Sequence, residues 1–256
     1  MRPLIIAHRG ASATAPENSL AACRQAISDG AEGIEFDVRL TADSVPIVFH
    51  DETLERIAGQ KDRICELRSS ELSGVDIGSW FNQAFPTFSK VEFANERIRT
   101  LDETLELLKD FRGRIYIELK CESSDVKPLV RSLVATVRDL KLLPRILVKS
   151  FKLSAIRHVH EMLPETRTAA LFGPNIMTVL RKKRFIIGLA EEYEADELSL
   201  HYSLATRRLL KRASERELPV TAWTVNDHKW VKKHKEMGLH AVITNNPKLM
   251  LETLSS

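Results

Sequence analysis

Short apolar runs of strand length alternate along this chain with stretches whose apolar residues recur every three or four positions. The runs fall at 4–8 (LIIAH), 33–38 (GIEFDV), 114–119 (RIYIEL), 145–149 (RILVK), 167–172 (RTAALF), 196–201 (DELSLH), 219–224 (PVTAWT) and 241–244 (AVIT). Helical spacing marks 16–29, 102–110, 125–140, 152–162, 204–217 and 227–236. Strand, helix, strand, repeated, predicts a parallel sheet covered by helices. Eight strand units within 256 residues fit a closed TIM (β/α)8 barrel better than an open doubly wound sheet. No G-x-G-x-x-G fingerprint follows the first run, which argues against a dinucleotide fold.

Two segments break the alternation. "PIVFHD" (46–51) is strand-like, yet only a short polar turn around Thr41–Ser44 separates it from "GIEFDVRL". A parallel crossover needs a dozen or more residues, so the two runs should form an antiparallel hairpin that brings His50 towards Glu35 and Asp37. Residues 52–100 are too long for an ordinary barrel loop and carry an exposed-looking Trp80–Phe81 pair. They read as a small inserted subdomain after the hairpin, within a single barrel domain spanning 1–256.

Composition narrows the setting. Lys and Arg total 38 against 35 Asp and Glu, so no field suited to nucleic acid is expected. "RKKRF" (181–185) and "HKWVKKHKEMGLH" (228–240) are basic, but interleaved apolar residues make them solvated helix faces. No run approaches the roughly 18 apolar residues of a membrane span, and the four-residue run after Pro3 is too short for a signal-peptide core. Cys23, Cys65 and Cys121 are scattered without metal-finger spacing, which suits reduced thiols and a cytoplasmic protein. Nothing in the sequence sets an oligomeric state.

Strand alternation then sorts the polar residues. Ile34, Phe36 and Val38 share one face and Glu35 and Asp37 the other; Ile115, Ile117 and Leu119 oppose Tyr116, Glu118 and Lys120. With the apolar faces against helices, the acids look into the barrel, where three carboxylates repel strongly. A hard divalent cation, Mg²⁺ or Ca²⁺, held by Glu35, Asp37 and Glu118 removes that conflict. A Glu-x-Asp pair alone suits a solvent face, and a lone His8 suits a hydrogen-bonded core. However, His8, Arg9, Glu35, Asp37, Glu118 and Lys120 all fall at carboxyl ends of predicted strands, where barrel active sites form, and His50 joins them through the hairpin. Two histidines, a metal, an arginine and a lysine suit phosphoryl transfer at an anionic ester. Arg9 can grip the phosphate through paired hydrogen bonds, while His8 and His50 divide the proton transfers.

"AHRGASATAPENSLAA", "IEFDVRLTADSVPIVFHDETLERIAG", "GSWF", "IRTLDETLELL", "IELK", "SF" and "AWTVND" resemble, in order and spacing, the glycerophosphodiester phosphodiesterases. The resemblance runs from about residue 5 to about 247. It implies metal-dependent hydrolysis of a small-molecule glycerophosphodiester to glycerol 3-phosphate and an alcohol, with an insertion after the H-D motif. It implies His8 and His50 as the acid–base pair, Arg9 and Lys120 at the phosphate, and Glu35, Asp37 and Glu118 on the metal. Trp223 would wall the glycerol site, unless it is simply a core aromatic at a strand end. Glu17 and Asn18 should act structurally, at the first helix start and as supporting hydrogen-bond partners. Where the family usually has I-T-D this chain has "VITNNP", so Asn245 replaces an acid, a departure that bears on substrate fit. Lys149, in "LVKSF", is an unusual strand-end charge that could contact substrate or solvent.

Two other readings compete. One is lysophospholipase D-like cleavage of a lysolipid headgroup, with Trp80, Phe81 and Phe85 against acyl chains, although packing of those rings on the barrel is simpler. The other is a catalytically silent barrel used for binding, which would normally lack one of the acids or histidines retained here.

Overall fold

The computed structural model describes residues 2–174, 184–234 and 236–255. Its strands are β1 (Leu4–His8), β2 (Gly33–Leu40), β3 (Pro46–Val48), β4 (Arg99–Thr100), β5 (Arg114–Leu119), β6 (Ile146–Ser150), β7 (Arg167–Phe172), β8 (Glu197–His201), β9 (Val220–Trp223) and β10 (Ala241–Thr244). β1 pairs in parallel with both β2 and β10, which closes an eight-stranded parallel ring. The fold is therefore a TIM barrel. β3 and β4 stand outside the ring as an antiparallel extension of β2.

The helices are α1 (Leu20–Ser28), α2 (Glu55–Ala58), α3 (Ser69–Leu72), α4 (Ser79–Ala84), α5 (Leu101–Leu107), α6 (Val126–Val137), α7 (Leu153–Met162), α8 (Arg184–Glu192), α9 (Arg207–Ser214), α10 (His228–His234) and α11 (Pro247–Ser255). Alternation sets which strand face they cover. Ile34, Phe36, Val38, Ile115, Ile117 and Leu119 are buried among Leu129, Val130 and Leu133 of α6. Full burial of each such side chain contributes on the order of 1.5–3 kcal/mol. The opposite faces meet in the barrel, where Ile6, Tyr116, Leu147, Ala169, Ala241 and Ile243 form an apolar plug. That plug separates two polar mouths.

Two helices begin later than periodicity alone predicts because caps intervene. The expected helix at 16–29 starts at Leu20, where the Ser19 hydroxyl accepts from Ala22 N at 3.0 Å. The one expected at 204–217 starts at Arg207, after the Thr206 cap. α11, not anticipated, opens with Pro247 as its first residue, and Asn246 Oδ1 accepts from Leu249 N at 3.0 Å. Of the basic "RKKRF" segment, 181–183 lie outside the described residues.

Residues 49–98 connect β3 to β4 through α2, α3, α4 and short 3-10 turns. Phe49, Leu54, Ile57, Ile64, Leu72, Ile77 and Ile98 form a small core of their own, continuous with Ile47 of β3. The Trp80–Phe81 pair, exposed-looking in the sequence, is not exposed. Phe81 is fully buried against Ala15, Ala22 and Phe93, and the half-buried Trp80 donates its indole N–H to Ile77 O at 2.7 Å. Apolar aromatic surface adjoining the small side chains of α1 and its approach loop is better used in packing than left in water.

Candidate active site

β2, β5 and β6 bring the acids together. Pairing sets Asp37 beside Glu118, and Glu118 beside Lys149. Glu35, Asp37 and Glu118 are all buried, and one carboxylate oxygen from each lies within 4.8 Å of the others. Glu35 Oε1, Asp37 Oδ1 and Glu118 Oε1 accept no directed hydrogen bond. Lysine ammonium groups stand against them instead. Lys149 Nζ lies 2.8 Å from Glu35 Oε1 and 3.3 Å from Glu118 Oε2. Lys120 Nζ lies 3.3 Å from Asp37 Oδ1 and also pairs with Glu118 Oε1. Burial pushes the Glu35 carboxyl up, but Lys149 and His8 outweigh it and hold it below the usual range. Asp37 is likewise held low against burial by Lys120, Arg9 and His50, with a hydrogen bond from Asn18. Three carboxylate oxygens without directed donors, on rigid strands, fit a hard divalent cation.

The two histidines flank this cluster with different partners. His8 ends β1, and its Nδ1 donates to Asn245 Oδ1 at 2.6 Å. A side-chain oxygen can only accept, so Nδ1 carries a proton. Burial lowers the His8 pKa and favours the neutral ring, whose lone pair is then on Nε2, 4.0 Å from Glu35 Oε2. His50 follows β3, and its Nδ1 donates to the Asp51 carboxylate at 2.6 Å. Asp51 is braced in turn by Arg56 Nε at 2.6 Å. The hairpin thus delivers His50 to the acidic mouth through two bonds, Phe49 N to Asp37 O and Arg39 Nε to His50 O.

Arg9 is more constrained than the expected phosphate fork. Its Nε sits 3.0 Å from Asp37 Oδ2, and its NH1 donates to Glu17 Oε1 at 2.8 Å. NH2 is the guanidinium nitrogen without a protein partner among the described residues. Arg9 has φ 55°, and Gly10 follows at φ 77° with Ala22 so close that a Cβ would lie 2.5 Å from its backbone. That turn needs glycine. Asn18 grips Asp37 twice: Nδ2 donates to Oδ2 at 3.0 Å, and Oδ1 accepts from the Asp37 amide at 3.2 Å. Glu17 bridges Arg9 and Arg56. The "PENS" residues therefore brace the site, while Ser19 caps the helix.

Trp223 ends β9 in a row of edge-on rings, 5.6 Å from Phe151 and 5.4 Å from His201. Its buried Nε1 has no hydrogen-bond partner. Lys120 Nζ lies 5.8 Å from the Phe151 ring centroid, which ties this row to the acidic cluster. Asn245, Asp51, Arg56 and Lys149 were not assigned to the site from the sequence. Adjacency in the H-D pair was the available signal for Asp51. Lys149 was visible only as an unusual charge.

The opposite mouth holds a further buried acid, apart from the three of the cluster. Glu197, the first residue of β8, accepts from the Thr221 hydroxyl, with Arg167 NH2 3.9 Å and His240 Nε2 4.0 Å from its other oxygen. Burial raises its pKa from 4.5 to about 7, against the smaller influence of Thr221, Arg167 and Arg114.

An acid cluster, two partnered imidazoles and basic side chains at the carboxyl mouth of such a barrel define an enzyme of anionic ester chemistry. A model of the glycerophosphoryl diester phosphodiesterase family matches residues 8–249. A glycerophosphodiester phosphodiesterase of Caldanaerobacter subterraneus subsp. tengcongensis is 28% identical over 251 residues, covering 98% of this chain and 97% of the relative. A Bacillus subtilis glycerophosphodiester phosphodiesterase is 27% identical over 97% of this chain and 85% of its own length. A solved Oleispira antarctica phosphodiesterase, in complex with the product sn-glycerol-3-phosphate, superposes with a TM-score of 0.87 at 27% identity, covering 100% of this chain and 98% of that one. This chain belongs to the glycerophosphoryl diester phosphodiesterase family.

Proposed function

We propose that this protein hydrolyses glycerophosphodiesters to glycerol 3-phosphate and an alcohol, with a divalent cation at Glu35, Asp37 and Glu118. The observation that carries this reading is the convergence of three acid oxygens within 4.8 Å beside His8. A bound Mg²⁺ or Ca²⁺ would supply charge stabilisation at the phosphoryl oxygens. The remaining work falls to this chain's own side chains. Arg9 NH2 and Lys120 face the phosphate, and Trp223 borders the glycerol moiety.

The hydrogen-bond partners divide the proton work. His8 is backed by a neutral amide oxygen with Nε2 left open, the state of a base that takes a proton from the attacking oxygen. His50 donates its Nδ1 proton to the Asp51 carboxylate, which fixes the ring, and to it falls the protonation of the leaving alkoxide. Support for a single barrel domain with 52–100 as an insertion comes from the strand order and from the separate small core. Among the described residues no helix is long and apolar enough to cross a membrane, and all three cysteines are free; we assign the protein to the cytoplasm.

Phosphorus NMR with a panel of glycerophosphodiesters and lysolipids, with and without chelator, tests the reading. Glycerol 3-phosphate released only with cation present is the expected result. No phosphodiester cleavage across the panel would overturn it.

A further inference from the structure

We propose that Lys149 is a built-in counter-ion of the acid cluster that holds the cation site preformed and lowers its affinity for divalent ions. The inference rests on the cation reading above. Lys149 is the fourth residue of β6, fixed beside Glu118 by strand register. Only 2% of it is exposed. Its ammonium bridges Glu35 and Glu118, two of the three carboxylates.

Burial alone would push a lysine towards its neutral form. Here the ammonium sits 2.8 Å from Glu35 Oε1 and 3.3 Å from Glu118 Oε2, a two-carboxylate pairing that compensates a buried positive charge. The neighbouring Lys120 is different in kind, being 16% exposed and placed under the Phe151 ring at the mouth. Lys149 has no such route to solvent or substrate. Its charge is spent inside the cluster.

Two consequences follow. Without an ion, three buried carboxylates would repel, and Lys149 offsets that repulsion. With an ion, the ammonium either stays and repels it or withdraws and surrenders both ion pairs. Both courses weaken binding. A unit charge within 4–6 Å shifts a neighbouring charge equilibrium by about one to three decades. Removing it should therefore tighten divalent binding by at least about tenfold.

The test uses the full chain, stripped of metal, with Mg²⁺ and Ca²⁺ titrated separately by calorimetry and followed by melting temperature. Lys149→Met and Lys149→Gln are compared with wild type and with Lys149→Arg, which keeps the charge. Expected for both neutral variants are a lower melting temperature without cation, a dissociation constant at least about tenfold smaller, and a larger rise in melting temperature on saturation. General damage to the fold would not tighten binding. Should one neutral variant fail to fold, the other carries the comparison, and cation present during refolding rescues either. Unchanged or weaker binding in the neutral variants overturns the role of Lys149 while leaving the cation site intact. Failure of wild type and all variants to bind either ion overturns the cation site and this inference together.

Discussion

Glu197→Gln isolates the cost of a buried carboxylate at the end of the barrel remote from the acid cluster. Gln mimics the protonated acid, so the two proteins differ mainly once Glu197 would ionise. In the unfolded chain the carboxyl loses its proton around 4.5, whereas in the folded protein burial delays ionisation to about 7. Between those values the folded state binds more protons than the unfolded one. Wild-type stability from this group is therefore highest below pH 4.5, declines through the window, and stays low above about pH 7. At about 1.4 kcal/mol per pH unit, the full difference is about 3 kcal/mol, or a melting shift of roughly 6–12 °C in a chain of this size. His240, 4.0 Å from Glu197 and lowered in pKa chiefly by burial, adds a slope of opposite sign that both proteins share. The assay is urea and thermal unfolding at pH 5, 6, 7 and 8 with chelator present. Glu197→Gln should track wild type at pH 5 and exceed it progressively towards pH 8. A difference that does not grow with pH would refute the argument.

Other outcomes test the site directly. His8→Ala and His50→Ala should each lower turnover at least about 100-fold while leaving the fold intact, as measured by product release and circular dichroism. A glycerol phosphodiester with a nitrophenol leaving group separates the roles: His50→Ala should recover much of its activity on it and His8→Ala should not. Exhaustive chelation should silence the enzyme and Mg²⁺ or Ca²⁺ restore it; activity that survives chelation sinks the carboxylate assignment. Gly10→Ala should cost about 2–5 kcal/mol in urea unfolding, combining left-handed backbone strain with a Cβ forced onto Ala22.

The barrel and its acidic mouth were legible in the sequence because both follow from local periodicity. In "GIEFDV" a period of two assigns Ile34, Phe36 and Val38 to the helices and leaves Glu35 and Asp37 facing inward, as found. Loop length alone required the hairpin that carries His50, and β3 pairs antiparallel to β2. The Trp80–Phe81 pair only looked exposed, and the simpler reading, packing on the barrel, is the one found. Its partners Ala15 and Ala22 lie some sixty residues earlier and carry no pattern pointing to it.

What stayed illegible depends on pairing between strands and on which side chain closes on which, and periodicity encodes neither. Lys149 lies on a strand whose alternation is clear, yet its meaning comes from sitting one strand away from Glu118 and within reach of Glu35. Asn245 read as the loss of an acid, whereas its side-chain oxygen is the hydrogen-bond partner of His8 Nδ1. An acid there would have added a negative charge beside a mouth that already buries Glu35, Asp37 and Glu118. Lys149 inside the cluster, Lys120 and Arg9 at its rim and a neutral partner behind His8 set positive or neutral groups against the three carboxylates. Lys149 and Asn245 thus act in the same direction: the ammonium makes the potential at the acid cluster less negative, and the neutral amide adds no anion where an acid would have. Restoring an acid with Asn245→Asp should therefore tighten divalent binding in the same calorimetric titration, by less than the Lys149 variants because the new charge lies beyond the imidazole. Weaker cation binding in Asn245→Asp would break that shared electrostatic account.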